Sequence, residues 1–300
     1  MSGIRMNIAI LQRDLDELQS SPVLFDALNF QARKEALDFV RVIGKLHTED
    51  HQTSPERVRL FQQAQALGEQ LEATNAALFH DWKIRIKNQP PSREKLRQWL
   101  QPYTNYAPHQ WGISHYGYEN LDFLLDGVLL PQPQPQANLP REYGMVRYEP
   151  APASVILELT ERVAFTDNDV FYDLGSGLGK VTALMHLLTG VRCVGVEYQP
   201  AFCAYARQQA AALQLINADY IQADARVADY ADGTVFFLFN PFGGDIFATV
   251  LERLRQEAQQ REILICSYGA CTQPLAGLNW LERIPPGGDD DFSLAIFTPR

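Results

Sequence analysis

The chain has 300 residues, 46% of them hydrophobic and 21% charged, which is ample material for a packed core and suggests two domains. Its net charge of −10 sets it against duplex nucleic acid unless a local basic patch overrides the repulsion. No apolar stretch approaches the roughly 20 residues of a membrane helix, and the opening MSGIR lacks the apolar core of a signal peptide, so a cytoplasmic protein without a membrane partner is expected.

The first 130 residues read as helical. Ser54, Pro55 and Glu56 make a helix start, with a capping hydroxyl followed by a proline in the first turn. Leu60, Ala64, Leu67, Leu71 and Leu78 then recur as a heptad-like seam, and Phe39, Val42, Ile43 and Leu46 form a second stripe. Together they predict an antiparallel helical hairpin or small bundle. Three roles stay open for it: covering the rest of the chain, binding a ligand, or forming an oligomer. The densest basic run, KIRIK at 83–87 with Arg93, Lys95 and Arg97 nearby, reads as a solvated helix or strand face.

Trp99, Tyr103, Tyr106, Trp111, Tyr116 and Tyr118 then crowd together with His109 and His115, either to pack between domains or to line a substrate groove. PQPQPQ at 131–136 reads as a polyproline-type spacer. The expected division is therefore a helical domain at 1–130, a linker at 131–145 and a ligand-binding domain at 146–300.

Tyr148 and Glu149 precede a predicted helix at 152–163. Residues 170–174 form an apolar run of strand type, and Gly175, Gly177 and Gly179 follow as a tight turn. Val181, Leu184, Met185 and Leu188 mark the inner face of the next helix. Such a strand–turn–helix unit presents backbone N–H groups to a bound small molecule. A second strand at 193–197 ends in Glu197, whose carboxylate is placed as an acceptor for ribose hydroxyls, and Tyr198 follows, either to lie against a bound base or to close the pocket edge. Pro200 opens a helix with Phe202, Tyr205, Ala206 and Leu213 inward. A short strand at 221–225 carries Asp224 and Ala225 at its end. The most apolar strand, 234–240, runs into Asn240, Pro241 and Phe242. Phe247, Val250, Leu251, Leu254 and Ala258 mark an amphipathic helix, and strands at 263–266, 278–284 and 293–298 complete the chain, the last two paired antiparallel.

The glycine spacing separates ligand classes. A dinucleotide fingerprint requires G-x-G-x-x-G, whereas here the third glycine comes one residue early and Lys180 follows. The D-x-G-x-G-x-G pattern at 173–179 resembles the first motif of class I S-adenosylmethionine-dependent methyltransferases. The stretch 146–268 further resembles the seven-strand lysine methyltransferases of the disruptor-of-telomeric-silencing type. It carries their D-L-G-S-G-x-G turn at 173–179, G-V-E at 195–197, and Tyr205-Ala206. Asn240, Pro241 and Phe242 occupy the slot of their Asn-Asn-Phe, with Pro241 as a departure, and Tyr148-Glu149 matches their tyrosine and glutamate near the cofactor.

This resemblance implies an α/β fold with a Rossmann-like seven-stranded methyltransferase sheet behind an N-terminal α-helical domain. It implies S-adenosyl-L-methionine as cofactor, held by Asp173, Gly175, Ser176, Gly177, Gly179, Glu197 and Tyr198, with Asp224 and Ala225 at the adenine. Asn240, Phe242 and Tyr148 would face a nitrogen acceptor, with a protein lysine as one candidate: Asn240 to orient the amine, Phe242 to offer a π face to the cationic methyl. The acceptor stays open between protein and small molecule, with nucleic acid least favoured by charge. An NAD-dependent oxidoreductase and a non-catalytic cofactor-binding scaffold are the alternatives. Cys193, Cys203, Cys266 and Cys271 form no C-x-x-C pair and have no histidine at zinc-ligand spacing, so reduced buried thiols and no metal site are expected.

Overall fold

The computed structural model describes residues 7–49, 54–103, 119–285 and 293–300. Chain contacts divide it into two compact units, residues 1–84 and 85–300.

Three helices build the first unit: α1 (Ile8–Gln19), α2 (Phe30–Glu49) and most of α3 (Pro55–Asn88), with the division between units falling inside α3. The Ser54 hydroxyl accepts from the Arg57 N–H at 3.3 Å, which is the cap its position predicts. Leu60, Ala64, Leu67 and Leu71 are buried with Leu11, Leu15, Ala36, Leu37 and Ile43, whereas Leu78, the last residue of the seam, is only half-buried and lies outside this cluster. Val42 departs from its stripe and is exposed, because its neighbour Ile43 takes the inward position. Arg33 is fully buried. Its Nε donates to Asn75 Oδ1 at 2.7 Å, and its other nitrogens reach the carbonyls of Leu24, Asp26 and Ala27, so the buried guanidinium has acceptors on every side.

The second unit holds the end of α3, followed by α4 (Arg93–Leu100), α5 (Glu119–Leu129) and α6 (Ala153–Arg162). Helices α4 and α5 and the whole 131–145 stretch thus belong to this unit. Of the aromatic stretch, Trp99 is buried with the Arg85 guanidinium 3.7 Å from its ring centre. Tyr106, His109, Trp111, His115, Tyr116 and Tyr118 lie outside the described residues.

Strand and helix then alternate as the apolar runs predict. The order is β1 (Val170–Leu174), α7 (Lys180–Thr189), β2 (Arg192–Glu197), α8 (Pro200–Leu213), β3 (Ala218–Gln222), β4 (Val235–Phe239), α9 (Gly244–Ala258), β5 (Leu264–Tyr268), α10 (Thr272–Ala276), β6 (Leu281–Arg283) and β7 (Ala295–Pro299). They form one seven-stranded sheet in the order β3-β2-β1-β4-β5-β7-β6. The first five strands run parallel, and β7 runs antiparallel to both β5 and β6. This is the methyltransferase sheet with its closing reversed strand. Helices cover both faces, which is why β1, β4 and β5 are near-continuous apolar runs instead of alternating ones.

One element shifts. The strand expected at 221–225 is Ala218–Gln222, and Asp224 and Ala225 lie in the turn beyond it. Tyr220 anchors the strand from inside by donating its hydroxyl to the Gly179 carbonyl at 3.0 Å. The Asp224 carbonyl then accepts from the N–H groups of Val227 and Ala228, which curls the chain out of the sheet. The four cysteines are buried and free. No helix among the described residues is long and apolar enough to cross a membrane.

Candidate active site

Strand order reverses between β1 and β4, and ligands in open α/β sheets bind beyond the carboxyl ends of strands at such a point. The glycine turn leaves β1 there, with Gly175, Gly177 and Gly179 all at positive φ. Four amides of the turn, expected to face a ligand, are engaged within the protein. The N–H groups of Gly175 and Ser176 both donate to the Val196 carbonyl (2.9 and 3.0 Å), Gly179 donates to Ser176 (2.9 Å), and Gly177 donates to Glu197 Oε2 at 2.8 Å. The glycines serve close approach instead. A β-carbon at 175 would lie 2.5 Å from Pro241, one at 177 would lie 2.2 Å from the Tyr148 ring, and one at 179 would lie 2.6 Å from the Tyr220 ring. Three separate elements therefore press on one turn.

Asp173 is buried and faces inward, where its Oδ2 accepts from the Thr182 hydroxyl at 3.2 Å. Burial pushes its carboxyl up to about 7 against the pull of that bond. Glu197 is clamped at both oxygens, Oε1 by the Gln199 N–H (2.7 Å) and Oε2 by Gly177. Burial raises its pKa while these backbone donors oppose the rise. A carboxylate offers about four acceptor positions, and these bonds leave some unused. Asp224 is engaged differently. Its oxygens accept from the Arg226 backbone N–H (2.8 Å), Nε (3.0 Å to each) and Nη2 (2.5 Å), which hold its pKa low, and Arg226 also reaches Glu142 at 2.9 Å. For Asp224 to receive an adenine amino group, Arg226 has to swing aside.

These elements enclose a crevice of about 450 Å³, within the range of small-molecule sites. Gly175, Gly177, Glu197, Tyr198, Asp224, Ala225, Tyr148, Asn240 and Phe242 all line it, whereas Asp173, Ser176 and Gly179 stand behind its wall. Phe242 is pinned through a β-bridge to Met145, beside a 2.7 Å bond from the Gly243 N–H to the Gly144 carbonyl. The 142–148 loop is thereby fastened to the turn after β4. Asn240 sits at φ +43 with its carboxamide over Gly269, and its Oδ1 accepts from the Cys271 N–H at 3.1 Å. The Tyr148 ring stands 5.7 Å from Phe202. Its hydroxyl and that of Ser176 are buried without a hydrogen-bond partner among the described residues.

An adenosyl group with an amino-acid tail fits this chemistry: a wall of mixed apolar and polar side chains, a clamped carboxylate with spare acceptor positions, and the orphaned Tyr148 hydroxyl beside the turn. Sequence reasoning missed three contributors. Residues 134–137, expected as spacer, wall the crevice. Gln199 holds that wall, as described below. Lys180 is buried with its Nζ 2.7 Å from both Asp122 and Asp126 of α5. The only signal for the last was two aspartates four residues apart on one helix face.

Residues 142–227 match the family described as Histone methylation protein DOT1. No curated protein matches the chain. Among solved structures, an RNA methyltransferase from Salinibacter ruber in complex with S-adenosyl-L-homocysteine is 21% identical, with a TM-score of 0.39 over 50% of this chain and 92% of that one. A precorrin-6y C5,15-methyltransferase from Geobacter metallireducens GS-15 is 16% identical, with a TM-score of 0.39 over 53% and 93%. A sheet alone does not name a reaction, but the matched family segment runs from the loop at Glu142, through the glycine turn and Glu197, to the turn holding Asp224. The chain is a class I, seven-strand S-adenosylmethionine-dependent methyltransferase with the motifs of the histone methylation protein DOT1 family.

Proposed function

We propose that the crevice takes S-adenosylmethionine along the glycine turn and Glu197, and that Tyr148, Asn240 and Phe242 receive a nitrogen nucleophile, best fitted by a protein lysine. The observation that carries this reading is the convergence of those three side chains on the crevice wall beside Gly175 and Gly177. The bound donor supplies an electrophilic methyl on a sulfonium. The remaining work is positioning, which contributes about 7–11 kcal/mol when two reactants are well oriented.

A lysine arrives protonated, with a free pKa of about 10.4, and attacks only after losing that proton. Desolvation between Tyr148, Phe202 and Phe242 lowers that pKa. The buried Tyr148 phenol has its own pKa raised by burial and by the nearby carboxylate of Asp126, so it stays an O–H donor and does not act as a base. Asn240 Oδ1 has one bond from Cys271 and a second lone pair for an incoming N–H. Glu149, exposed on the crevice rim, attracts a cationic side chain.

Incubating the protein with radiolabelled methyl donor and cell lysate, then separating protein, RNA and small molecules, tests the acceptor class. Label in the protein fraction on lysine is the expected result. Label confined to RNA or small molecules would refute the lysine reading.

A further inference from the structure

The stretch from Pro131 to Leu139 has the composition of a loose spacer, yet it is fastened at both ends. At one end the Tyr205 hydroxyl donates to the Pro131 carbonyl at 2.5 Å. At the other, a single carboxamide acts as a strand edge: Gln199 Oε1 accepts from the N–H groups of Asn138 (3.1 Å) and Leu139 (2.8 Å), and its Nε2 donates to the Leu139 carbonyl at 2.9 Å. Gln199 occupies the N-cap of α8 but makes no cap bond with its side chain. The cap comes from the strap instead, since Asn138 Oδ1 accepts from the Ala201 N–H at 3.4 Å. The two residues thus exchange roles across the contact. Gln199 is itself only 6% exposed, so its polar atoms depend on these partners. Its own backbone N–H holds Glu197 Oε1.

One residue therefore joins the ribose-side acid to the segment that walls the crevice at 134–137. We propose that Gln199 is a positioning residue for donor binding: it fastens the 131–139 strap as the outer wall of the adenosyl site and fixes the Glu197 carboxylate beneath it. The proposal rests on the donor occupying this crevice. The strap is then part of the binding site, and what it governs is affinity for the donor and its spent homocysteine form.

Isothermal titration with S-adenosylhomocysteine is the test, run on wild type, Gln199→Ala, Gln199→Glu and Tyr205→Phe. Loss of the three side-chain bonds predicts binding weaker by about tenfold or more in Gln199→Ala, with unchanged stoichiometry. Gln199→Glu keeps both acceptor contacts to the strap and falls between wild type and Gln199→Ala. Tyr205→Phe, which frees only the proline end, weakens binding by about threefold. A purely structural effect would instead lower the stoichiometry and leave the affinity of the folded fraction intact, and that result overturns the proposal. So does equal affinity in wild type and Gln199→Ala. If Gln199→Ala does not fold, hydrogen exchange on wild type decides. The amides of Asn138 and Leu139 must become more protected on adding S-adenosylhomocysteine, and unchanged protection rejects the strap. Wild type that binds no S-adenosylhomocysteine ends the donor-site reading itself, an outcome distinct from the others.

Discussion

The ring of Tyr148 lies against the backbone of Gly177, so close that a β-carbon there would come within 2.2 Å of two ring carbons. The turn and the loop before α6 therefore fit only because position 177 has no side chain. Gly177→Ala must displace Tyr148 and also hold alanine at φ +54, which costs about 1–2 kcal/mol. The expected outcome is a lower unfolding midpoint in urea and S-adenosylhomocysteine binding at least about tenfold weaker. Wild-type affinity in this variant would show that Tyr148 does not wall the donor site.

Asp173 predicts a particular pH dependence. Its folded carboxyl titrates at about 7, above the ordinary value of 3.8, because burial disfavours the charge. Between those values the folded state binds more protons than the unfolded state, so this group makes stability fall as pH rises through the window, with no further loss above it. Asp173→Asn abolishes that slope and keeps an acceptor for the Thr182 hydroxyl. The variant should exceed wild type in stability by more at pH about 8 than at pH about 5, as read from urea midpoints. Parallel curves would contradict the buried, uncompensated carboxylate.

Lys180 lies between two carboxylates, with its own side chain 3% exposed and those of Asp122 and Asp126 28% and 34% exposed. Burial pushes the Asp126 pKa up, against the opposing pull of Lys180. Lys180→Met leaves two acids facing each other without their counter-charge. The expected loss is about 3 kcal/mol, the low end for breaking a buried pair because the aspartates remain partly open. Adding Asp126→Asn should restore about 1 kcal/mol of that loss through the coupling between the sites. A double-mutant cycle by chemical denaturation measures it, and strict additivity would refute the shared clamp.

Asn240 combines an unusual backbone with the side chain proposed to orient the acceptor, and two substitutions separate them. Asn240→Gly keeps access to φ +43 and removes the carboxamide, whereas Asn240→Ala loses both. The alanine variant should be less stable than the glycine variant by about 1 kcal/mol. Both should lose methyl transfer while S-adenosylhomocysteine affinity stays near wild type. Retained turnover in the glycine variant would remove Asn240 from acceptor positioning.

Local pattern carried much of this protein. The apolar runs, the glycine turn and the acid ending the second strand are short-range signals, because backbone conformation and strand burial leave their mark on consecutive residues. The methyltransferase sheet, the reversed closing strand and the place of Glu197 were legible for that reason. The heptad-like seam at Leu60 to Leu71 was legible because a helix repeats its buried face within a few residues.

What the chain order hides is partnership between distant residues. PQPQPQ reads as a spacer since nothing within it announces Gln199, some sixty positions away, whose carboxamide turns it into a wall. Arg226, already on Asp224, is held from the far side by Glu142, some eighty positions upstream, and the amides of Gly175 and Gly177 read as ligand donors until Val196 and Glu197 claim them. The same holds for Lys180, whose aspartates come from a helix more than fifty residues upstream. A hydrogen bond or ion pair is decided by distance in space, and only the packed chain brings both of its ends to the same place.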